Sequence, residues 1–90
     1  MTEEELKKFK EKIVESTTFP SVYMFKFIVP SENRAIALVE NLFEPETDIH
    51  TKESGNGKYT SITGMQVVVD VEEIMEVYKK AATIKGIMFL

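Results

Sequence analysis

Large apolar side chains alternate with other residues between Val22 and Val29, and this period of two predicts a β-strand. Successive side chains of a strand point to opposite faces of a sheet. The set with the heavier side chains is expected to face the core, and it consists of Tyr23, Phe25, Phe27 and Val29. Lys26 is therefore expected on the opposite face.

Three other stretches have apolar residues at helical spacing. The first covers residues 2–16, where a Thr-x-x-Glu capping box precedes a narrow apolar stripe. The second lies between Pro30 and Pro45, with Ser31 as its predicted cap and a broad apolar face. The third begins after Asp70, a second predicted cap. Its predicted buried stripe contains Val71, Ile74, Met75, Tyr78, Ala81 and Ala82.

Two more strands, Asp48–Ser54 and Lys58–Asp70, are predicted on either side of a turn. The turn contains Asn56-Gly57, the pair that a two-residue type I′ turn prefers because both of its central residues have a positive φ. A loop of that length places His50 opposite Thr63 in the hairpin.

The predicted strand after the turn has no uniformly apolar side. One set of alternate residues contains Ile62, Gly64, Gln66 and Val68, and the other contains Tyr59, Ser61, Thr63, Met65, Val67 and Val69. A β-bulge at Gly64 would reverse the phase. Otherwise the second set lies on the outer face, and its members Met65, Val67 and Val69 form an exposed apolar patch with Met24 and Ile28, which is typical of a partner or dimer interface. A third alternative is that the first helix covers this face, through Leu6, Phe9 and Ile13.

With a short last strand at 87–90, the order of elements is one helix followed by β-α-β-β-α-β. That order predicts an α+β fold, a ferredoxin-like βαββαβ sandwich. Right-handed crossovers place two helices on one face of a four-stranded antiparallel sheet with strand order 4-1-3-2. We predict an N-terminal helical extension at 1–17 and a ferredoxin-like domain at 18–90.

Composition removes several kinds of chemistry. The chain has 90 residues, no cysteine and a single histidine, His50, so disulfides, thiolate metal sites and cysteine nucleophiles are excluded. Eleven basic and fifteen acidic residues give a net charge of −4, which argues against binding to nucleic-acid phosphates. We expect no cofactor and no metal. The chain has no secretory signal pattern and no long apolar run, so a cytoplasmic protein without a membrane segment is expected.

Several stretches resemble the YbeD-like family, a domain of unknown function numbered 493. The resemblance is carried by Phe19-Pro20 with Tyr23, Phe25, Lys26 and Phe27, by Ser54, Gly57, Lys58, Tyr59 and Ser61, and by Ile74, Tyr78, Ile84 and Gly86–Leu90. It implies a ferredoxin-like fold similar to the ACT-type regulatory domains that bind small effectors. It implies no catalytic residues, and Gly64 and Gln66 depart from the apolar residues expected at their positions.

One group of residues is a candidate site for a small molecule or a protein partner: Lys26, Lys52, Ser54, Lys58, Tyr59 and Ser61. Cations beside hydroxyls and an aromatic ring suit a small anion or an acidic loop of a partner. The alternative is an ordinary solvated sheet face. A homodimer through the sheet face or a sheet edge also fits the pattern.

Other functions are less well supported by the residues. An RNA-binding sheet needs two or three stacking aromatic residues on its central strands, whereas Lys58–Ile62 offers only one. Acylphosphatases share the ferredoxin-like fold and use an arginine and an asparagine, but no glycine-rich phosphate loop accompanies Asn33 and Arg34. We therefore predict a non-enzymatic regulatory domain, with an RNA accessory role or a phosphatase-like activity as alternatives.

Overall fold

The computed structural model describes residues 2–90, which form three helices and one four-stranded sheet. The elements are α1 (Glu3–Ser16), β1 (Ser21–Pro30), α2 (Asn33–Glu40), β2 (Asp48–Glu53), β3 (Tyr59–Val68), α3 (Val71–Ala81) and β4 (Met88–Phe89). All neighbouring strands are antiparallel, so the predicted α+β class and antiparallel sheet are confirmed. The strand order is β2-β3-β1-β4, which is 4-1-3-2 when it is read from the opposite edge.

The pairing of the two central strands settles the phase of β3. The register runs without interruption from Ser21 opposite Val68 to Pro30 opposite Tyr59. A bulge would add an unpaired residue to one strand. The bulge predicted as one alternative at Gly64 is therefore wrong. The set that contains Ile62 and Val68 faces the core, and Met65 and Val67 lie on the other face of the sheet.

Gly64 and Gln66 interrupt the apolar face of β3 for reasons that lie in the α2–β2 connection. Gly64 leaves space for the ring of Phe43, which the chain carries into the core after α2. The Gln66 Oε1 atom accepts hydrogen bonds from the Glu44 amide at 3.0 Å and from the Thr47 hydroxyl at 2.9 Å. A buried polar group needs such partners. Both residues therefore face the core without a large apolar side chain.

The core lies between one face of the sheet and the helices. From the sheet it receives Phe25, Phe27, Val29, Ile62 and Val68, and from the helices and their connections Val39, Phe43, Ile74, Met75, Val77, Tyr78 and Ala81. Of the predicted stripe of α3, Ile74, Met75, Tyr78 and Ala81 are buried, whereas Ala82 is exposed. Aromatic rings dominate this core, and the Phe27 and Tyr78 rings meet edge to face at 5.6 Å.

Helix α1 packs on α3, which is the side of the molecule opposite the outer sheet face. Its Phe9 ring meets the Tyr78 ring edge-on at 4.8 Å, and Lys10 Nζ lies 2.8 Å from Glu72 Oε1. Ile13 is buried in the common core. The alternative that α1 covers the outer sheet face is therefore wrong.

The helix starts show two confirmed caps and one error. The capping box between Thr2 and Glu5 has both of its hydrogen bonds, and the Asp70 side chain accepts from the Glu73 amide. Ser31 is not the cap of α2. The Ser31 hydroxyl lies 2.8 Å from the Thr60 hydroxyl across the fold, and α2 starts at Asn33, with Glu32 at the N-cap position and no side-chain hydrogen bond there.

The β2–β3 turn differs from the predicted type I′ turn, although the register is the predicted one, with His50 opposite Thr63. Among the described residues no residue other than glycine has a positive φ, and in this turn only Gly57 has one, at 72°. Asn56 acts through its side chain instead. Its Oδ1 atom accepts from the Lys58 amide at 3.0 Å and from the Ser54 hydroxyl at 2.8 Å. These bonds close a longer loop without a left-handed asparagine.

Candidate binding site on the outer sheet face

The outer face is the side of the sheet turned away from the helices. It is formed by even-numbered residues of β1 and β2 and odd-numbered residues of β3, because side chains alternate along each strand and opposite partners share a face. Most of these side chains are exposed or half-buried, and no helix packs over them in the described part of the chain. This open face contains most of the residues that the sequence predicts as a binding site.

At the hairpin end of the outer face, a shallow depression of about 260 Å³ brings four of the six predicted site residues together. Its lining consists of Ile28, Lys52, Glu53, Ser54, Gly55, Tyr59 and Ser61. The register explains this grouping, because Lys52 lies opposite Ser61, and Ser61 lies opposite Ile28. Three adjacent strands therefore contribute to the depression.

Hydrogen bonds already hold the hydroxyl groups of the depression. The Ser54 Oγ atom donates to Asn56 Oδ1 at 2.8 Å and accepts from the Tyr59 amide at 3.2 Å. The Ser61 hydroxyl donates to the Lys52 carbonyl at 3.4 Å. Lys52 and Glu53 bring one positive and one negative charge to the lining.

The other two predicted residues lie outside the depression. Lys26 is on the same face, one row away, opposite Thr63. Lys58 belongs to the turn, where its carbonyl accepts from the Ser31 amide at 2.9 Å. Among the ion pairs of residues 2–90, none involves either of these lysines or Lys52. Within residues 2–90 these three lysines therefore have no ion-pair partner, although Glu53 also lines the depression.

With this geometry established, comparison with known proteins identifies the family. A family model described as a protein of unknown function, DUF493, matches residues 14–90. The chain belongs to the DUF493 family. The YbeD-like resemblance seen in the sequence is thereby confirmed. Searches of curated proteins and of solved structures returned no match.

The match begins near the C-terminal end of α1, so most of this helix precedes the part of the chain that the DUF493 model covers. The division into an extension at 1–17 and a domain at 18–90 stays a prediction. In the structure Ile13 of α1 is nevertheless part of the core. Within residues 2–90 no helix has the length and apolarity required to cross a bilayer.

Asp48 and His50 share the outer face of this DUF493 chain, as the strand period predicts. The His50 Nε2 atom lies 3.1 Å from Asp48 Oδ2, and both side chains are exposed. The described residues contain no cluster of three or more histidine, cysteine or carboxylate side chains that would suit a metal ion. The pair is a contact on the surface of the edge strand.

The opposite end of the outer face carries an apolar patch, which we define as Val22, Met24, Met65 and Val67. All four side chains are exposed. The sequence left an exposed patch of Met24, Ile28, Met65, Val67 and Val69 as one of three alternatives, and the structure selects an exposed patch over the bulge and over cover by α1. Val22 belongs to it as well, whereas Ile28 is half-buried and lines the depression. The apolar patch lies beyond Lys26 from the depression, so the two ends of the face differ in character.

The sequence missed a second cavity, a groove of about 320 Å³ between α1 and α3. Its lining consists of Glu3, Leu6, Lys7, Lys10, Glu72, Met75 and Lys79. Only the packing of α1 on α3 brings these residues together, and a local pattern does not report which elements are neighbours. The Lys10–Glu72 ion pair spans the groove, so part of its charge is already neutralised.

Proposed function

We propose that this DUF493 chain is a non-enzymatic regulatory domain that binds a small effector or a protein partner through its outer sheet face. We class its fold as ferredoxin-like and its mode of action as ACT-like. The observation that carries the proposal is the depression at the hairpin end. Four predicted binding residues line it, on a sheet face that no helix covers within residues 2–90.

The chemistry of the depression favours an anionic ligand with a small apolar part. Among the described residues Lys52 has no ion-pair partner, and Lys26 lies one row away, so two lysines stand against the single carboxylate of Glu53 in the lining. Ile28 and the Tyr59 ring supply apolar surface. A charge-assisted hydrogen bond to an anion is stronger than one between neutral groups. An amino-acid carboxylate, a phosphate group or the acidic loop of a partner offers this combination.

A thermal-shift screen of the full chain against amino acids, nucleotides and inorganic phosphate tests the proposal. A ligand at ~100 times its Kd stabilises the folded state by about 3 kcal/mol, which gives a clear shift. Lys52→Ala and Lys26→Ala should each weaken a ligand found in this way tenfold or more. Lys12→Ala, an exposed lysine of α1, is the matched control and should bind as tightly as the wild type.

The outcomes of the screen separate the versions of the proposal. A ligand whose affinity is the same in the Lys52→Ala and Lys26→Ala variants would contradict binding at this site. A blank screen would favour a protein partner over a small effector. The absence of a cofactor and a cytoplasmic location stay predictions that this experiment does not address.

A further inference from the structure

We infer that a second copy of this chain stacks on the outer face, with the apolar patch at the centre of the contact. The inference rests on the proposed function only because both use the outer face. The depression and the apolar patch lie at opposite ends of that face and share no residue. The two proposals can therefore fail separately.

The apolar patch is widely exposed. Val22 is 58% exposed, Met24 57%, Met65 40% and Val67 65%, although all four lie on central strands. Val22 is directly opposite Val67, and Met24 is directly opposite Met65, so the four side chains form one contiguous block. Contiguous apolar surface of this kind marks an interaction site more often than scattered single residues do.

The apolar patch is complementary to itself across a two-fold axis. A two-fold axis that runs along the strands, between β1 and β3, places β1 of one copy over β3 of the other. Val22 then lies over the partner's Val67, and Met24 lies over the partner's Met65. Each row pairs residues of the same type. Such self-complementarity is what an isologous dimer requires.

The same axis places the charged residues favourably. Lys26 lies over the partner's Thr63 and not over a second Lys26. The polar and charged side chains Asp48, His50 and Lys52 belong to the edge strand β2, so they lie at the rim, whereas Lys26 lies on the central strand β1. An apolar centre with a charged rim is the usual anatomy of a protein interface.

The size of the face sets the expected affinity. With strands ~4.8 Å apart and ~3.3 Å per residue, the whole outer face covers ~440 Å² of plane per copy, and its apolar end is only part of that area. Specific interfaces typically bury ~800 Å² of accessible surface per partner, and weaker contacts bury less. The dimer is therefore a weak one that forms as the concentration rises and dissociates on dilution.

Light scattering coupled to size-exclusion chromatography, over a dilution series of the full chain, tests the inference. The mass should rise from one chain towards two with concentration. Val67→Lys should stay monomeric at every concentration, because it places a charge at the centre of the contact. Val14→Lys changes an equally apolar, exposed residue of α1 and should dimerise like the wild type.

Met24→Lys is a second variant on the apolar patch, and circular dichroism checks that both variants are folded. A wild type that stays monomeric at the highest concentration overturns the inference. Dimerisation of folded Val67→Lys or Met24→Lys at wild-type strength also overturns it. If the chain stays monomeric and a ligand stabilises it, the proposed function is supported and the dimer is excluded. If the chain dimerises and the screen is blank, the dimer is supported and the binding of a small effector is not.

Cross-linking tests the direction of the axis, because the chain has no cysteine of its own. The proposed axis places β2 of one copy over β4 of the other. A mixture of His50→Cys and Leu90→Cys chains should link through a short bis-maleimide reagent far better than His50→Cys chains alone. Equal or stronger linking between two His50→Cys chains would overturn this arrangement. Such linking would require β2 of one copy to lie over β2 of the other.

Discussion

The ring of Phe43 lies directly on the backbone of Gly64, with no room for a side chain between them. A Cβ atom at position 64 would stand 2.7 Å from the Phe43 Cζ atom and 2.8–2.9 Å from two neighbouring ring atoms. Separations this short are repulsive for two carbon atoms, whose optimum is ~3.5–4.0 Å. The glycine is thus part of the packing between the α2–β2 connection and the sheet.

Gly64→Ala should destabilise the fold by about 1–3 kcal/mol, because the added methyl overpacks a filled core. Urea unfolding followed by circular dichroism measures the change. Gly55→Ala is the matched control, since nothing lies within 4 Å of a Cβ there and its φ is not positive. Similar stabilities of the two variants would contradict the tight contact at Gly64.

Gln66→Leu should lower the free energy of unfolding by about 1–3 kcal/mol, although it makes the core face of β3 more apolar. The loss is expected because the Glu44 amide and the Thr47 hydroxyl lose their acceptor. Thr47→Val removes one of the two donors and should cost less. A Gln66→Leu variant that is as stable as the wild type would mean that water replaces the lost acceptor.

Ile13→Ala should cost about 2–5 kcal/mol, the range for truncating a buried isoleucine. Ile13 is 5% exposed, whereas its neighbour Val14 is 52% exposed. Val14→Ala is therefore expected to change stability by no more than about 0.5 kcal/mol. Chemical denaturation of both variants gives the comparison. Equal, small effects would show that α1 contributes little to the fold in solution.

Alkaline pH should destabilise the protein through Tyr78. Burial, with a smaller contribution from the hydrogen bond to the Tyr23 hydroxyl, raises the pKa of the Tyr78 phenol far above its ordinary value of 10.0. The unfolded chain then loses a proton above pH ~10 that the folded chain keeps. This contribution to stability is complete below that pH and declines as the pH rises above it.

The melting temperature as a function of pH between ~9 and ~11.5 measures this decline. Tyr78→Phe has no phenol to ionise and should show a shallower decline than the wild type. Tyr59→Phe changes an exposed tyrosine of the outer face and should keep the wild-type slope. Identical slopes for the wild type and Tyr78→Phe would exclude Tyr78 as the cause.

The elements that local patterns predicted well are those in which the pattern and the packing agree. The strand around Phe25 and Phe27 alternates cleanly because one of its faces is buried and the other is open. The start of α1 follows from Thr2 and Glu5, since a capping box is entirely local. Ser31 misled the prediction because its hydroxyl bonds to Thr60, which is distant in sequence.

In the candidate site, too, the sequence predicted the placements that follow from local register and missed those that depend on distant packing. The register of the hairpin predicted that Lys52 and Ser61 lie together, because a turn fixes which residues are opposite. Lys58 lies in the turn and outside the lining of the depression, and its part in binding stays a prediction. The groove between α1 and α3 was not predicted, since no pattern within either helix identifies its neighbour.

Because β4 is short, only part of β1 has hydrogen-bond partners on that side of the strand. Strand β4 pairs only with Phe27 and Ile28, and the Leu90 amide bonds to the Lys26 carbonyl. The amides of Val22 and Met24 point to this same side, where no described strand reaches them, whereas those of Tyr23 and Phe25 bond to β3. Hydrogen–deuterium exchange should therefore alternate from residue to residue, fast at Val22 and Met24 and slow at Tyr23 and Phe25.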